Sequence, residues 1–250
     1  MTYCLGIKVR DGLVCLSDGR ITSGVEVRAA RKFSLHGPES ARLCLMTSGL
    51  RSLRDKVLAY FDRAARAQTS GYPSLLDAVQ VYTRCLRQVQ DEDRAALEES
   101  KLSFNLHTLI TGQLPEDGEP RIFLVYPEGN WIEVGQRTPY LSIGATAYGK
   151  PILDRALKYD TPLETALKIA YLSFDSTRYS SADVGFPVDL LTFGAKDRRW
   201  RHGNYDYDEL LQQRTWWNER LTASAREMPP GPWSDDLLPG SGRLSLVGED

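Results

Sequence analysis

The threonine at the second position of the chain is the residue best suited to chemistry. Removal of Met1, which a small second residue permits, would leave Thr2 with a hydroxyl and an α-amine on one residue. An α-amino group titrates at about 7.7–8.0, so it can accept the hydroxyl proton near neutral pH without a histidine. Thr2 would then be nucleophile and base together. Many chains begin with Met-Thr, however, so Thr2 indicates catalysis only in combination with other sequence segments.

Other sources of catalytic chemistry are weaker. The histidines are few, and no G-x-S-x-G motif accompanies them, so we interpret each as structural or exposed: His36, His107 and His202. The segment from Gly144 to Pro151 matches G-x-x-x-x-G-K between a predicted strand and a predicted helix. Pro151 stands where a phosphate-binding loop needs Ser or Thr to hold magnesium, so nucleotide binding is disfavoured.

The cysteines give no sign of a metal or redox site. They lie far apart, without C-x-x-C and without histidine at ligand spacing: Cys4, Cys15, Cys44 and Cys85. We interpret them as reduced and mostly buried small hydrophobic residues. We therefore expect neither a cofactor nor a bound metal.

Composition excludes several classes of protein. The hydrophobic share of 42% and charged share of 26% are ordinary for a soluble globular chain. No apolar run approaches the roughly 20 residues that a membrane helix needs, so no membrane partner is expected. Lys+Arg 31 against Asp+Glu 33 gives a net charge of −2, which disfavours nucleic-acid binding. The first residues lack the basic and apolar regions of a signal peptide, which predicts a cytoplasmic protein.

The order of predicted elements indicates two sheets between helical layers. Strands come first, flanking hairpin signals at Arg10–Gly12 and Gly37–Ser40. Two helices, four strands, two helices, a strand and a last helix follow: Leu53–Ala67, Ser74–Glu99, Phe104–Thr111, Arg121–Tyr126, Trp131–Val134, Tyr140–Ile143, Pro151–Tyr159, Pro162–Ser176, Val188–Ala195 and Asp208–Ala225. This pattern predicts an α+β fold, a four-layer αββα sandwich of two antiparallel sheets flanked by helices.

Signals for turns and caps set the expected limits of these elements. Ser74 and Asp77 have capping-box spacing, and Thr69–Pro73 is typical of a turn. Thr161 is the predicted N-cap of the later helix, with Pro162 at its first position. We expect one domain over residues 1–227. Residues 228–250 are rich in Pro and Gly, which predicts an extended or partly disordered tail.

An ordered set of short segments resembles the β-type subunits of proteasomes, most closely the Anbu branch. The segments are Thr2–Lys8, Asp11–Val14, Ser17–Arg20, Arg31–Phe33, Thr47–Gly49, Gly144–Arg155 and Pro187–Leu191. Each is short, but their order and spacing together are specific, and they extend over roughly residues 2 to 225. The resemblance implies the fold of an N-terminal-nucleophile (Ntn) hydrolase.

The resemblance also implies roles for individual residues. Thr2 corresponds to the nucleophile, Lys32 to the cation that eases its deprotonation, and Asp18 to the carboxylate that holds Lys32. A partly buried lysine beside a carboxylate keeps its charge, which stabilises a developing alkoxide. Gly49 falls where a strand meets a helix, so its N–H is a candidate oxyanion donor, although an ordinary tight turn would also use glycine there.

The geometry of the first hairpin decides whether Asp18 lies near Thr2. A three-residue loop, Arg10–Gly12, would pair Cys4 with Asp18 and place Asp18 on the face of Thr2. A two-residue loop of Asp11 and Gly12 would pair Asp18 with Leu5 and send it to the opposite face. The apolar pattern does not choose between these registers.

The sequence departs from the proteasome pattern where residues order the N-terminal amine. Ala145 occupies the place of a serine, and Ser181 and Val184 occupy the places of an aspartate and a serine. Thr146 or Ser181 are candidates to replace them.

Together these features predict a proteasome-like threonine peptidase or amidohydrolase that acts on a peptide or amide substrate. The alternative is a catalytically silent or highly selective self-assembling subunit with the same fold. In both cases the resemblance implies self-association into a ring or spiral homo-oligomer.

Overall fold

Two antiparallel sheets of five strands each form the centre of the computed structural model, which describes residues 2–23, 26–68 and 71–237. The first sheet contains, in spatial order, β10 (Tyr140–Gly144), β1 (Tyr3–Val9), β2 (Gly12–Asp18), β11 (Val188–Gly194) and β12 (Trp200–Tyr205). The second contains β5 (Phe33–His36), β6 (Leu43–Gly49), β7 (Leu106–Gly112), β8 (Arg121–Val125) and β9 (Trp131–Glu133). A separate ribbon pairs β3 (Arg20–Ser23) with β4 (Glu26–Ala29).

Helices cover the outer faces of both sheets, which confirms the four-layer αββα sandwich. Helices α1 (Arg51–Arg66) and α2 (Leu75–Glu99) bury residues such as Phe61 and Tyr82 in one core with Leu45 of β6. Helix α4 (Leu163–Ser180) packs on β1 and β2 of the first sheet, and α3 (Lys150–Ala156) packs against α4. Every residue of β1 and β2 is buried, because their sheet is covered on both faces.

A narrow apolar layer joins the two sheets. Cys4 and Cys15 of the first sheet meet Cys44 and Met46 of the second in a single buried cluster. Side chains alternate along a strand, so every second residue of these strands enters this layer and the others face the helices. All four cysteines are free and buried, as predicted.

The first hairpin adopts neither of the registers considered for it. Val9 pairs with Gly12, so the loop consists of Arg10 and Asp11, and Cys4 pairs with Ser17. Both registers predicted for this hairpin were therefore wrong, and neither predicts the position of Asp18. Gly12 has φ +150°, and a Cβ there would lie 1.9 Å from the carbonyl oxygen of Phe193. Glycine is needed at this position for the close approach of β11 and not as a third loop residue.

Other element limits follow the predicted ones closely, with local differences. Ser74 and Asp77 form the predicted capping box of α2. Helix α4 begins at Leu163 with Pro162 as its N-cap, whereas the Thr161 hydroxyl accepts a hydrogen bond from the Lys158 N–H at 2.9 Å. Strands β3, β4 and β12 were not predicted, because these short segments contain no apolar run.

The chain divides between Glu209 and Leu210 into two compact units. The second unit contains α5 (Leu211–Glu227) and α6 (Pro232–Leu237). Helix α6 lies in the segment expected to be extended, while residues 238–250 of that segment, and Thr69 and Ser70 of the predicted turn, lie outside the described residues. The limits of the domain and tail stay a prediction. None of the helices in the described part of the chain is long and apolar enough to cross a membrane.

Substitution of Gly12 tests the observed hairpin register. Gly12→Ala places a methyl group against the Phe193 carbonyl in a backbone conformation that alanine rarely adopts. We expect the free energy of unfolding to fall by more than about 1 kcal/mol, measured by urea denaturation. Asp11→Ala in the exposed loop is the control. A Gly12→Ala protein as stable as Asp11→Ala would contradict the register.

Candidate active site

The main chain of Thr2 is held at the end of the first sheet. Its carbonyl oxygen accepts a hydrogen bond from the Ala145 N–H at 2.7 Å. Gly144 has φ +88°, and a Cβ there would lie 1.8 Å from that same carbonyl oxygen. Glycine is therefore required for this contact. Cys4, two positions after Thr2, packs in the apolar layer between the two sheets.

Asp18 and Lys32, which the resemblance predicts to be partners, form a buried ion pair. Lys32 Nζ donates to Asp18 Oδ1 at 2.7 Å; Asp18 is fully buried and Lys32 is 6% exposed. The same Oδ1 accepts the Tyr3 N–H at 2.8 Å, and Oδ2 accepts the Gly185 N–H at 3.4 Å. The carboxylate thus joins β2 to the residue after Thr2, to the residue before β5 and to the segment after α4.

The electrostatics of this pair follow from its burial. Removal from water raises the pKa of the Asp18 carboxyl, and the Lys32 ammonium with the backbone N–H groups of Tyr3 and Gly185 opposes that rise. A charge buried without a partner costs several kcal/mol, so each member of the pair requires the other. The arrangement keeps a cation beside the start of β1.

Gly49 ends β6 with its N–H directed away from β7. The Leu50 N–H donates to the Asn105 carbonyl at 3.0 Å, on the β7 side. Because successive residues of a strand direct their backbone N–H groups to opposite sides, the Gly49 N–H points to the β5 side. On that side the Thr47 N–H donates to the Lys32 carbonyl at 3.2 Å. Gly49 has φ +141°, and a Cβ would lie 2.0 Å from the Asn105 oxygen. The geometry requires glycine and leaves an N–H facing the Lys32 side of the site.

A cavity of about 190 Å³ adjoins Lys32. Its wall contains polar, basic and apolar side chains, namely Arg31, Lys32, Phe33, Ser34, Leu45, Thr47, Arg54 and Leu58. The cavity is large enough for a substrate side chain placed beside the ion pair.

The positions expected to order the N-terminal amine contribute mainly through their backbone. Ala145 is buried and donates its N–H to Thr2, while Ser181 is buried and its carbonyl accepts the Val184 N–H at 3.2 Å. The Thr146 N–H donates to the Gly144 carbonyl at 2.9 Å. A substitute role for Thr146 or Ser181 stays a prediction.

Sequence reasoning missed the N–H groups of Tyr3 and Gly185 that hold Asp18. Main-chain donors carry no residue-type signal, so only the fold reveals them.

Lys150 of the loop-like G-x-x-x-x-G-K segment donates to Asp154 and to the Tyr140 hydroxyl, at 2.7 and 3.1 Å. Across residues 2–23, 26–68 and 71–237, no group of three or more His, Cys, Asp or Glu is placed to hold a metal ion.

Comparisons with known proteins identify relatives over most of the chain. The profile of the family described as proteasome subunit matches residues 2–192. Anbu from Yersinia bercovieri, described as an ancestral beta-subunit, is 30% identical, with a TM-score of 0.80 over 92% of this chain and 98% of that chain. The helical assembly of the Anbu complex from Pseudomonas aeruginosa is 31% identical, with a TM-score of 0.83 over the same shares.

A further solved structure agrees with these. A Gly-1 mutant of Anbu from Hyphomicrobium sp. strain MC1 is 27% identical, with a TM-score of 0.84 over 92% of this chain and 99% of that chain. A search of curated proteins returned no match.

Removal of one charge tests the energetic role of the ion pair. Asp18→Asn leaves the Lys32 ammonium buried without an anion, so we expect the free energy of unfolding to fall by about 3–5 kcal/mol. The double variant Asp18→Asn/Lys32→Met should recover much of that loss in urea denaturation. Glu164→Gln, which breaks an exposed pair with Lys168, is the control and should change stability little. An Asp18→Asn protein as stable as this control would refute the assignment.

Proposed function

This chain belongs to the proteasome subunit family and has the fold of its Anbu branch, and we propose that it is a threonine hydrolase of peptide or other amide bonds. The observation that supports this most is the sharing of one oxygen atom. Asp18 Oδ1 accepts both Lys32 Nζ and the Tyr3 N–H, which belongs to the peptide bond that follows Thr2. Two hydrogen bonds through Asp18 therefore connect the Lys32 ammonium to the peptide bond of the proposed nucleophile, Thr2.

The proposed reaction uses only groups of this chain and water. After removal of Met1, the α-amine of Thr2 takes the hydroxyl proton as Oγ attacks the substrate carbonyl, and Lys32 stabilises the negative charge. The Gly49 N–H donates to the oxyanion. Collapse of the tetrahedral intermediate breaks the C–N bond, and the leaving amine takes the proton from the α-ammonium. Water, deprotonated by the α-amine, then hydrolyses the acyl ester and restores Thr2.

The substrate would lie across the end of the first sheet with one side chain in the cavity beside Lys32. The cavity of about 190 Å³ fits a single side chain and not a folded segment. An extended or unfolded peptide, or a small amide, is the substrate class consistent with this size. We place the reaction in the cytoplasm.

A second candidate function is a catalytically silent or highly selective assembly subunit with the same fold. Ala145 and Val184, at 7% and 1% exposure, put apolar side chains where proteasome subunits carry polar groups that order the amine. A poorly ordered amine would be a poor base. Reaction of Thr2 with an electrophile distinguishes the two functions.

Thr2→Ala tests the proposed nucleophile. A β-lactone should acylate the wild-type protein once, at Thr2, and should leave Thr2→Ala unmodified, because the variant lacks the attacking oxygen. Thr2→Ser keeps a hydroxyl and is the matched control that should still react. Intact mass and peptide mapping provide the measurement. Equal labelling of wild type and Thr2→Ala would contradict the proposal, and absence of a Thr2 adduct in processed wild-type protein would favour the silent subunit.

We also propose that the chain assembles with copies of itself into a ring or spiral. The Pseudomonas aeruginosa relative is described as a helical assembly. In the second unit, large apolar side chains are exposed, including Trp216 at 51%, Leu221 at 49% and Trp233 at 52%. Aromatic side chains of this kind are enriched at protein interfaces, whereas exposed ion pairs contribute only about 0–1 kcal/mol each.

Light scattering after size exclusion tests the assembly. At micromolar concentration and moderate salt we expect a mass several times that of one 28.1 kDa chain. Trp216→Ser should reduce the mass if buried aromatic area holds the copies together. A mass of one chain throughout the concentration range would refute self-association.

A further inference from the structure

His36 lies between a serine and an aspartate, outside the Thr2 site. Ser34 Oγ is 2.7 Å from His36 Nε2, and His36 Nδ1 is 2.8 Å from Asp62 Oδ1. The order hydroxyl, imidazole, carboxylate is the arrangement that activates a serine nucleophile. Sequence motifs did not reveal it, because the serine lies on a strand without a G-x-S-x-G turn.

The fold brings these three residues together at one edge of the second sheet. Ser34 and His36 are two positions apart on β5, so their side chains share the face that meets α1, which carries Asp62. The ring of Phe61 packs edge-on against the His36 ring at a centroid distance of 5.5 Å. The imidazole is only 10% exposed, so its orientation is restricted by packing as well as by both hydrogen bonds.

Solvent reaches this trio through a second cavity. Its volume is about 540 Å³, and it is lined by Ser34, Leu35, His36, Gly37, Asp62, Ala65 and Arg66. All three members of the trio thus contribute to one concave surface. This cavity is larger than the one beside Lys32 and opens to solvent, so a small carbonyl compound could enter it from solution.

The edge position of β5 supplies a hydrogen-bond donor for an oxyanion. The Thr47 N–H of β6 donates to the Lys32 carbonyl, so the backbone of Lys32 faces β6. Successive residues of a strand direct their backbone hydrogen bonds to opposite sides. Ser34 therefore bonds to β6. The Leu35 N–H points the other way, to the side of β5 where the described part of the chain has no strand. A backbone donor thus follows the serine directly.

From these observations we propose that Ser34, His36 and Asp62 form a second hydrolytic site that cleaves short carboxylic esters. His36 Nε2 takes the Ser34 proton as Oγ attacks the carbonyl, and the Leu35 N–H donates to the oxyanion. The C–O bond to the alcohol breaks, and the alkoxide takes the proton from the imidazolium. Water then attacks the acyl-serine with His36 as base, releasing the acid and restoring Ser34. Asp62 is a positioning residue that holds the Nδ1–H tautomer.

Esters fit this site better than amides. A single edge N–H stabilises the oxyanion less than a pair of donors would, and an alkoxide leaves more readily than an amine. Ser34 also lines the cavity beside Lys32, but the proposed ester cleavage does not use the Thr2 hydroxyl, so it can be tested in a protein that lacks that hydroxyl.

The experiment uses the full chain carrying Thr2→Ala, treated with an alkyl fluorophosphonate and mapped by peptide mass. We expect one adduct, on Ser34, and slow hydrolysis of p-nitrophenyl acetate by the same protein. Ser34→Ala in this background should abolish both. His36→Gln should slow both by about 100-fold or more, because the general base is lost. His107→Gln, at a histidine that contacts Asn105, is the matched control and should leave both rates unchanged.

A second pair of variants decides the outcome if His36→Gln does not fold. Asp62 is 43% exposed on α1, so Asp62→Asn should keep the fold, slow the labelling of Ser34, and be partly rescued by Asp62→Glu. A folded Thr2→Ala protein without a Ser34 adduct would overturn the proposal. So would labelling of Ser34 at the same rate in the wild-type, His36→Gln and Asp62→Asn sequences, because the serine would then act without its histidine.

Discussion

The ion pair of Asp18 and Lys32 is the constraint around which the site is built. A buried carboxylate and a buried ammonium are stable only in contact and with their remaining hydrogen-bonding positions filled. Asp18 satisfies this with Lys32 Nζ and the N–H groups of Tyr3 and Gly185. The end of β2, the start of β1, the residue before β5 and the turn after α4 must therefore meet at one point. That point is where Thr2 leaves the first sheet.

Close backbone contacts bring the other groups to the same point. Gly144 lets the turn after β10 approach the Thr2 carbonyl, and Gly49 lets β6 end against Asn105. A side chain at either glycine would overlap a carbonyl oxygen, so each position restricts both residue type and geometry. The result is that the Thr2 carbonyl and the Gly49 N–H are both fixed in position. Such preorganised groups are what acyl transfer requires.

Much of this could be predicted from the sequence, and the remainder depends on contacts between distant residues. Apolar periodicity predicted the helices and most strands, and the ordered segments predicted the pairing of Asp18 with Lys32. The hairpin register was missed because Gly12 is required by its close contact with the Phe193 carbonyl, and Phe193 is remote in sequence. Backbone donors to Asp18 have no residue-type signal. The spacing of Ser34 and His36 is visible in the sequence, but the approach of Asp62 is a property of the packed α1 helix.

The central claim is that the α-amine and hydroxyl of Thr2 act together beside the buried cation, which requires that Met1 be absent. The most direct measurement is the mass of the N-terminal peptide of protein purified from the cells that naturally express it. The account predicts a peptide that begins at Thr2 with an unmodified α-amine. A peptide that retains Met1, or carries an acetylated Thr2, in protein that hydrolyses amide bonds would contradict it.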